Sequence, residues 1–250
     1  MKNKIAKAAY FFLSSPRLAL AVLVYAVLLV FVGTLAQREI GIEQAQAIYF
    51  ESFFGIGSLW GVKFPFLGGA AVGAAAAVNI IFSALRFGKS GSLGLGVSIA
   101  HMSIVLLIIS GALQYFLRVE GQIVLKPSVP TDTIELKNRG AGAALKLPFT
   151  VTLEKFGAEK WANSDIAKGY SSDLLFSRAG KSSRARASMN SPASHSGWTF
   201  YQMSYTDGGS SVLSAVKNPA RLLPWLAVGS TFAGMMIIFL PRVFGRGRWQ

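Results

Sequence analysis

The sequence has no cysteine, only two histidines and few charges. Of its 250 residues 14% are charged, against roughly 25% in an ordinary soluble domain. Without cysteine there is no disulfide framework, thiol redox pair, thiolate zinc site or iron–sulfur ligation. Covalent haem attachment through Cys-x-x-Cys-His on this chain is excluded as well. His101 and His195 are the only imidazoles, so an all-protein metal site would need carboxylates to complete its shell. Acids are scarce too, with 11 Asp and Glu against 25 Lys and Arg. There is no Walker loop, no dinucleotide glycine fingerprint and no zinc-protease helix. No Ser–His–Asp set assembles.

What the chain has instead is apolar length. Hydrophobic residues make up 52% of it, and four windows reach the roughly 20 residues that cross a bilayer. They run from about Leu18 to Ala36, Pro65 to Leu85, Leu93 to Leu117 and Leu222 to Leu240. The first follows Lys2, Lys4 and Lys7 as a signal peptide would. Its apolar run is longer than a signal core, and Gly33-Thr34-Leu35-Ala36 makes a poor cleavage site.

Charge orients these windows. The basic residues Lys2, Lys4, Lys7, Arg17, Arg86, Lys89, Arg242, Arg246 and Arg248 fall on one side with no acid among them. All 11 acids, from Glu39 to Asp207, fall in the other two connections. The positive-inside rule puts both termini and the Arg86–Lys89 turn in the cytoplasm. The net charge of +14 is then largely a topology signal, and no nucleic-acid partner is expected. It also favours anionic lipid at the cytoplasmic face.

The expected fold is membrane α+β: four transmembrane helices with a β-rich extracytoplasmic domain inserted between helices 3 and 4. A cytoplasmic arm spans 1–17. Helices 1–3 occupy 18–117, with an aromatic outer loop at 37–64. The extracytoplasmic domain takes 118–221, and helix 4 with a basic cytoplasmic tail takes 222–250. The outer loop carries Tyr49, Phe50, Phe53, Phe54, Trp60 and Phe64. Glu43 to Phe54 has helical spacing, with Ala47, Phe50 and Phe54 on one side. It reads either as a helix in the membrane interface or as an aromatic belt.

Within 118–221, two-residue alternation predicts strands at 133–137 and 149–154, with others at 172–177, 183–189 and 198–205. Gly and Pro punctuate them, among them Gly140, Gly142, Gly180 and Gly197. A sandwich or small barrel fits.

His101 is the one titratable side chain clearly within a span, and such residues default to function. A neutral imidazole there could ligate haem iron, carry protons or bridge helices. A relay would need further intramembrane Asp, Glu or His, and there is none. Met102, Met203, Met235 and Met236 are ligands in principle, though Met in an apolar helix usually packs. His195, in Ser194-His195-Ser196-Gly197, reads as a solvated loop residue. The small-residue run Gly68–Ala77 permits close helix approach.

The chain resembles ResB-type proteins, the smaller membrane component of System II cytochrome c biogenesis. The likeness is carried by Ser14-Ser15-Pro16-Arg17-Leu18-Ala19-Leu20, by Gly33-Thr34-Leu35-Ala36-Gln37 and by Ile48-Tyr49-Phe50. It continues in the helix that opens with His101, in Met189-Asn190-Ser191-Pro192 and in Asn218-Pro219-Ala220-Arg221. Its most specific piece is Gly197-Trp198-Thr199-Phe200-Tyr201-Gln202-Met203-Ser204-Tyr205. The resemblance implies a plasma-membrane protein working with a larger multi-spanning haem-handling subunit. Together they would move haem b across the membrane and support its attachment to apocytochrome c. It implies His101 as an axial ligand to the haem iron, and no activity for this chain alone. The alternative is a non-catalytic scaffold that anchors the β domain and assembles the larger subunit.

Overall fold

The computed structural model describes residues 2–59, 61–87, 91–137, 143–161, 167–206 and 209–244. Trp60, Lys89, Gly140, Gly142, Asp207, Arg246 and Arg248, named above, lie outside them. The chain forms two compact units, Met1–Ala112 with Leu222–Gln250, and Leu113–Arg221.

The first unit is helical. It contains α1 (Lys2–Leu13), α2 (Pro16–Ile40), α3 (Ile42–Ala45) and a π-helical turn, Gln46–Phe50. A hairpin of β1 (Phe54–Leu59) and β2 (Val62–Leu67) follows, then α4 (Gly69–Phe87), α5 (Gly91–Leu117) and, late in the chain, α6 (Leu223–Phe244). The helices α2, α4, α5 and α6 are long and apolar enough to cross a membrane. Helix α2 starts where Ser15 caps it: its Oγ accepts from the Arg17 N–H at 3.2 Å, with Pro16 at the first helical position.

Two features depart from expectation. The arm 1–17 carries a helix, and the loop 37–64 carries a β hairpin, so strands occur before α4 as well as after α5. The helix expected from Glu43 to Phe54 stops at Phe50. Its buried residues are Ala45 and Tyr49, while Ala47 and Phe54 are exposed. The reason is local. The π turn swings Tyr49 inward, where its ring stacks on Phe66 at 4.7 Å and its hydroxyl donates to the Ser58 carbonyl.

Helix α1 is fastened to α4 by polar contacts. Asn79, buried in α4, donates to the Leu13 carbonyl at 2.6 Å and to Ser15 O at 3.2 Å. The end of α1, whose last carbonyls have no helical partner, is thereby satisfied. Arg86 donates to Ser14 Oγ at 3.1 Å, and its guanidinium lies over the Phe11 and Phe87 rings.

The second unit is one eight-stranded antiparallel sheet. Its strands are β3 (Val119–Leu125), β4 (Thr131–Leu136), β5 (Ala144–Lys160), β6 (Ala167–Arg178), β7 (Lys181–Ser188), β8 (Ala193–His195), β9 (Trp198–Tyr205) and β10 (Ser211–Lys217). Their spatial order is β7-β6-β5-β4-β3-β10-β9-β8. The end strands meet where Ser188 and Ser191 exchange backbone hydrogen bonds, so the sheet curls into a barrel-like form.

Inward residues alternate along the strands. Ile123, Leu125, Ile134, Val151, Leu153, Leu174, Phe176, Phe200 and Leu213 make the core. Two turns show what the sequence does locally. Ala179-Gly180 joins β6 to β7, Ser196-Gly197 joins β8 to β9, and all four residues have positive φ. That is the two-residue turn whose twist matches the strands, with glycine at its second position.

Candidate functional site

His101 lies on α5, seven residues from the start of the apolar span at Gly94. At 1.5 Å per residue that is roughly 10 Å along the axis. Its side chain is exposed on the surface of the chain. Val97, Ile104, Val105 and Ile108 share its face by helical spacing, so the imidazole is framed by apolar side chains.

The ring is oriented by its own helix. His101 Nδ1 lies 2.7 Å from the Val97 carbonyl oxygen. A carbonyl only accepts, so Nδ1 is the donor, and in the neutral ring the in-plane lone pair falls on Nε2. A backbone carbonyl holding one ring nitrogen while the other is left to a metal is the usual arrangement around ligating histidines. Among the described residues no group of three or more His, Asp or Glu gathers.

The helix bearing His101 is set against α6 by glycines. A Cβ at Gly96 would lie 2.9 Å from the Gly234 carbonyl oxygen, and one at Gly234 would lie 2.8 Å from Ala100 N. Only the absence of side chains allows that approach. Ala100 adjoins His101 in the chain, so this crossing fixes the backbone from which the imidazole projects. Met102, Met235 and Met236 are exposed, and nothing in the structure brings their sulfurs to His101.

The motif Gly197 to Tyr205 is explained by the second unit. On β9, Trp198, Phe200 and Gln202 point into the barrel and are buried, while Tyr201 and Met203 are exposed. Gln202 Oε1 accepts from Ser172 Oγ at 2.7 Å, and its Nε2 donates to Ser211 Oγ at 2.9 Å. This polar knot joins β6, β9 and β10 inside an apolar core, and every buried side-chain polar atom among the described residues has a partner. The Asn218 motif acts at the end of the same unit. Asn218 Nδ2 donates to Gln114 Oε1 at 2.8 Å, and its Oδ1 accepts from the Ala220 N–H.

His195 corrects the reading as a solvated loop residue. It ends β8, half-buried, with its ring stacked on Phe176 at 4.6 Å and edge-on to Phe149 at 4.7 Å. Its Nδ1 pairs with Ser183 Oγ at 3.1 Å across the seam to β7. Desolvation, with Arg178 as a lesser cause, holds its pKa below the ordinary histidine value. The two histidines fall in different units.

The sequence reading passed over Tyr25. This residue, within the apolar run of α2, both accepts from Leu67 N–H at 2.9 Å and donates to Leu67 O at 3.0 Å. The signal was a hydroxyl placed where no water would serve it.

A sequence model of the ResB-like family matches residues 87–225. The chain belongs to the ResB-like family. The match takes in α5 with His101, the whole second unit and the start of α6. The four helices long and apolar enough to cross a membrane make this ResB-like chain a membrane protein. Comparison with curated proteins finds no match. Among solved structures, the chain is similar to a protein titled "Cytochrome c Heme Lyase CcmF", at 17% identity and a TM-score of 0.40. The likeness covers 69% of this chain and 30% of that one, so the chain spans about a third of that protein's length.

Proposed function

We propose that this ResB-like chain binds haem b near the inner leaflet as one subunit of a System II cytochrome c maturation complex. It has both termini in the cytoplasm and residues 118–221 outside. The single observation that carries this reading is the imidazole of His101. It is exposed on an apolar helix, with Nδ1 engaged by Val97 O and Nε2 left to a ligand. Haem here is cargo. His101 supplies one axial ligand, and a histidine of the larger multi-spanning subunit supplies the other. The apolar neighbours Val97, Ile104 and Ile108 suit the edge of a flat macrocycle.

The outer β domain docks the partner and apocytochrome c, and the attachment chemistry belongs to the larger subunit, because this chain has no thiol and no acid–base constellation. The positive-inside distribution of Lys4, Lys7, Arg17 and Arg86 supports the orientation.

The test is the absorption spectrum of the detergent-purified complex with its partner co-expressed. His101→Ala should lose bound haem or need added imidazole to retain it. Haem content and spectrum unchanged in that variant would leave the chain as a scaffold and remove His101 from the mechanism.

A further inference from the structure

Helix α1 is braced along one stripe of α4. Asn79, Phe82 and Arg86 recur at helical spacing on α4, and each meets α1. Asn79 holds the Leu13 and Ser15 carbonyls. Phe82 sets its ring edge-on to Tyr10 at 5.8 Å. Arg86 donates to Ser14 Oγ, and its guanidinium lies 4.5 Å from the centre of the Phe11 ring and 4.8 Å from that of Phe87. The charge of Arg86 is thus held in place by two rings and a hydroxyl. Ser14 takes one of the five N–H donors in its fork.

The counter-charge for this end of the helical unit comes from outside the chain. No Asp or Glu lies on α1, α4, α5 or α6, and α2 has only Glu39, at its far end. Lys4 and Lys7 on α1 are exposed, as is Arg17 on the first turn of α2. Arg86 lies on the last turn of α4. Those two turns are ends of membrane-crossing helices, Pro16–Ile40 and Gly69–Phe87. Bare apolar side chains accompany the cations. Ile5 is 67% exposed, Phe12 63% and Phe87 52%. Ile5 and Phe12, seven residues apart, share a face of α1. An acidic protein surface or a nucleic acid would neutralise the lysines and leave isoleucine and phenylalanine unserved. A phospholipid leaflet serves both, with phosphates for the cations and acyl carbon for the apolar side chains.

We propose that α1 and Arg86 form a binding surface for anionic phospholipid. Lys4, Lys7 and Arg17 meet the headgroup layer, and the fixed guanidinium of Arg86 takes a lipid phosphate. The proposal needs only that the chain lies in a membrane, and not any ligand role for His101.

The test offers the full-length chain in detergent phosphatidylglycerol and phosphatidylcholine of equal acyl length, and counts bound lipid by native mass spectrometry. Phosphatidylglycerol adducts should exceed phosphatidylcholine adducts by about ten-fold or more. Lys4→Gln combined with Lys7→Gln, both at exposed positions that brace nothing, should bring that ratio close to one. Arg86→Lys, which keeps the charge and loses the fork, should lower it about three-fold. Lys126→Gln combined with Lys181→Gln removes the same charge from the β unit and should leave the ratio unchanged. Equal binding of the two lipids would overturn the proposal, as would an unchanged ratio in the chain lacking Lys4 and Lys7. An equal fall in the β-unit control would reduce the effect to net charge and sink it too. Displacement of phosphatidylglycerol by inorganic phosphate would make this a free-anion site instead. Loss of the preference once the larger subunit is co-purified would assign the surface to protein and not to lipid.

Discussion

The two units of the molecule are built inside out with respect to each other. In the helical unit Leu20, Leu23, Val27, Phe31, Trp225 and Phe232 stand more than half exposed. Its buried side chains include Asn79, Ser103 and Ser110. In the β unit Phe176, Phe200, Leu153 and Leu213 are fully enclosed. Its surface carries paired charges: Arg184 grips Glu154 through two 2.9 Å bonds, and Lys146 meets Asp132 at 3.1 Å. One unit has the surface of a protein dissolved in hydrocarbon, the other that of a protein dissolved in water. The difference decides what holds each together. The β unit is driven by apolar burial. The helices gain little from burying apolar surface that lipid would cover equally well, and depend on close approach and a few polar ties.

Substitutions can break that contrast. The largest loss is expected from Phe200→Ala in the β core, about 3–5 kcal/mol. In the detergent-solubilised chain it should appear as rapid proteolysis within residues 118–221 with the helices intact. Removal of the tie between α1 and α4 by Asn79→Leu leaves the Leu13 carbonyl unpaired and should cost about 1–3 kcal/mol. Faster labelling or cleavage near Tyr10 would report it, with the β unit unaffected.

Protonation sharpens the comparison further. The folded pKa of His195 lies below its unfolded value, so the unfolded chain binds more protons and stability falls as pH drops below about 6.5. That loss should be confined to the β unit and should flatten in His195→Gln, measured as the unfolding temperature between pH 7.5 and 5. Smallest of all, Leu23→Met on the bare face of α2 should change stability by less than about 0.5 kcal/mol in a thermal melt. A large effect there would mean that protein, and not lipid, covers the site.

Much of this plan was legible in the residues, for physical reasons that also explain the gaps. An apolar run between Arg17 and Arg38 announces its helix through length alone. Phe149 to Glu154 announces a strand through alternation. The strand β10 was missed because it is buried on both faces and so does not alternate. Residues 37–64 misled because their helical period was real but was cut by the π turn. What ends the helix is Tyr49 finding Phe66, a partner 17 residues on that no local pattern encodes. His195 was misread for a similar cause. Its neighbours in sequence are Ser194 and Ser196, but its neighbours in space are two phenylalanines from β5 and β6.

His101 stood out because an imidazole among leucines is costly without a purpose. Its tautomer was invisible, since it depends on where the Val97 carbonyl points. Family membership agrees with the strand motif around Gln202, whose meaning the structure supplies as a polar lock within a greasy barrel.

The order of the strands has a consequence for how the molecule is made. The centre of the sheet pairs β3 with β10 in unbroken register from Val119–Lys217 to Leu125–Ser211. The first strand of the unit to leave the ribosome therefore waits for the last before its ladder can form. Until some ninety residues have followed it, β3 has only β4 beside it, joined at two positions. Such long-range closure is slow. The neighbouring strands β5, β6 and β7 can pair as they emerge, so the unit grows from that side and is closed at its middle by its final long strand.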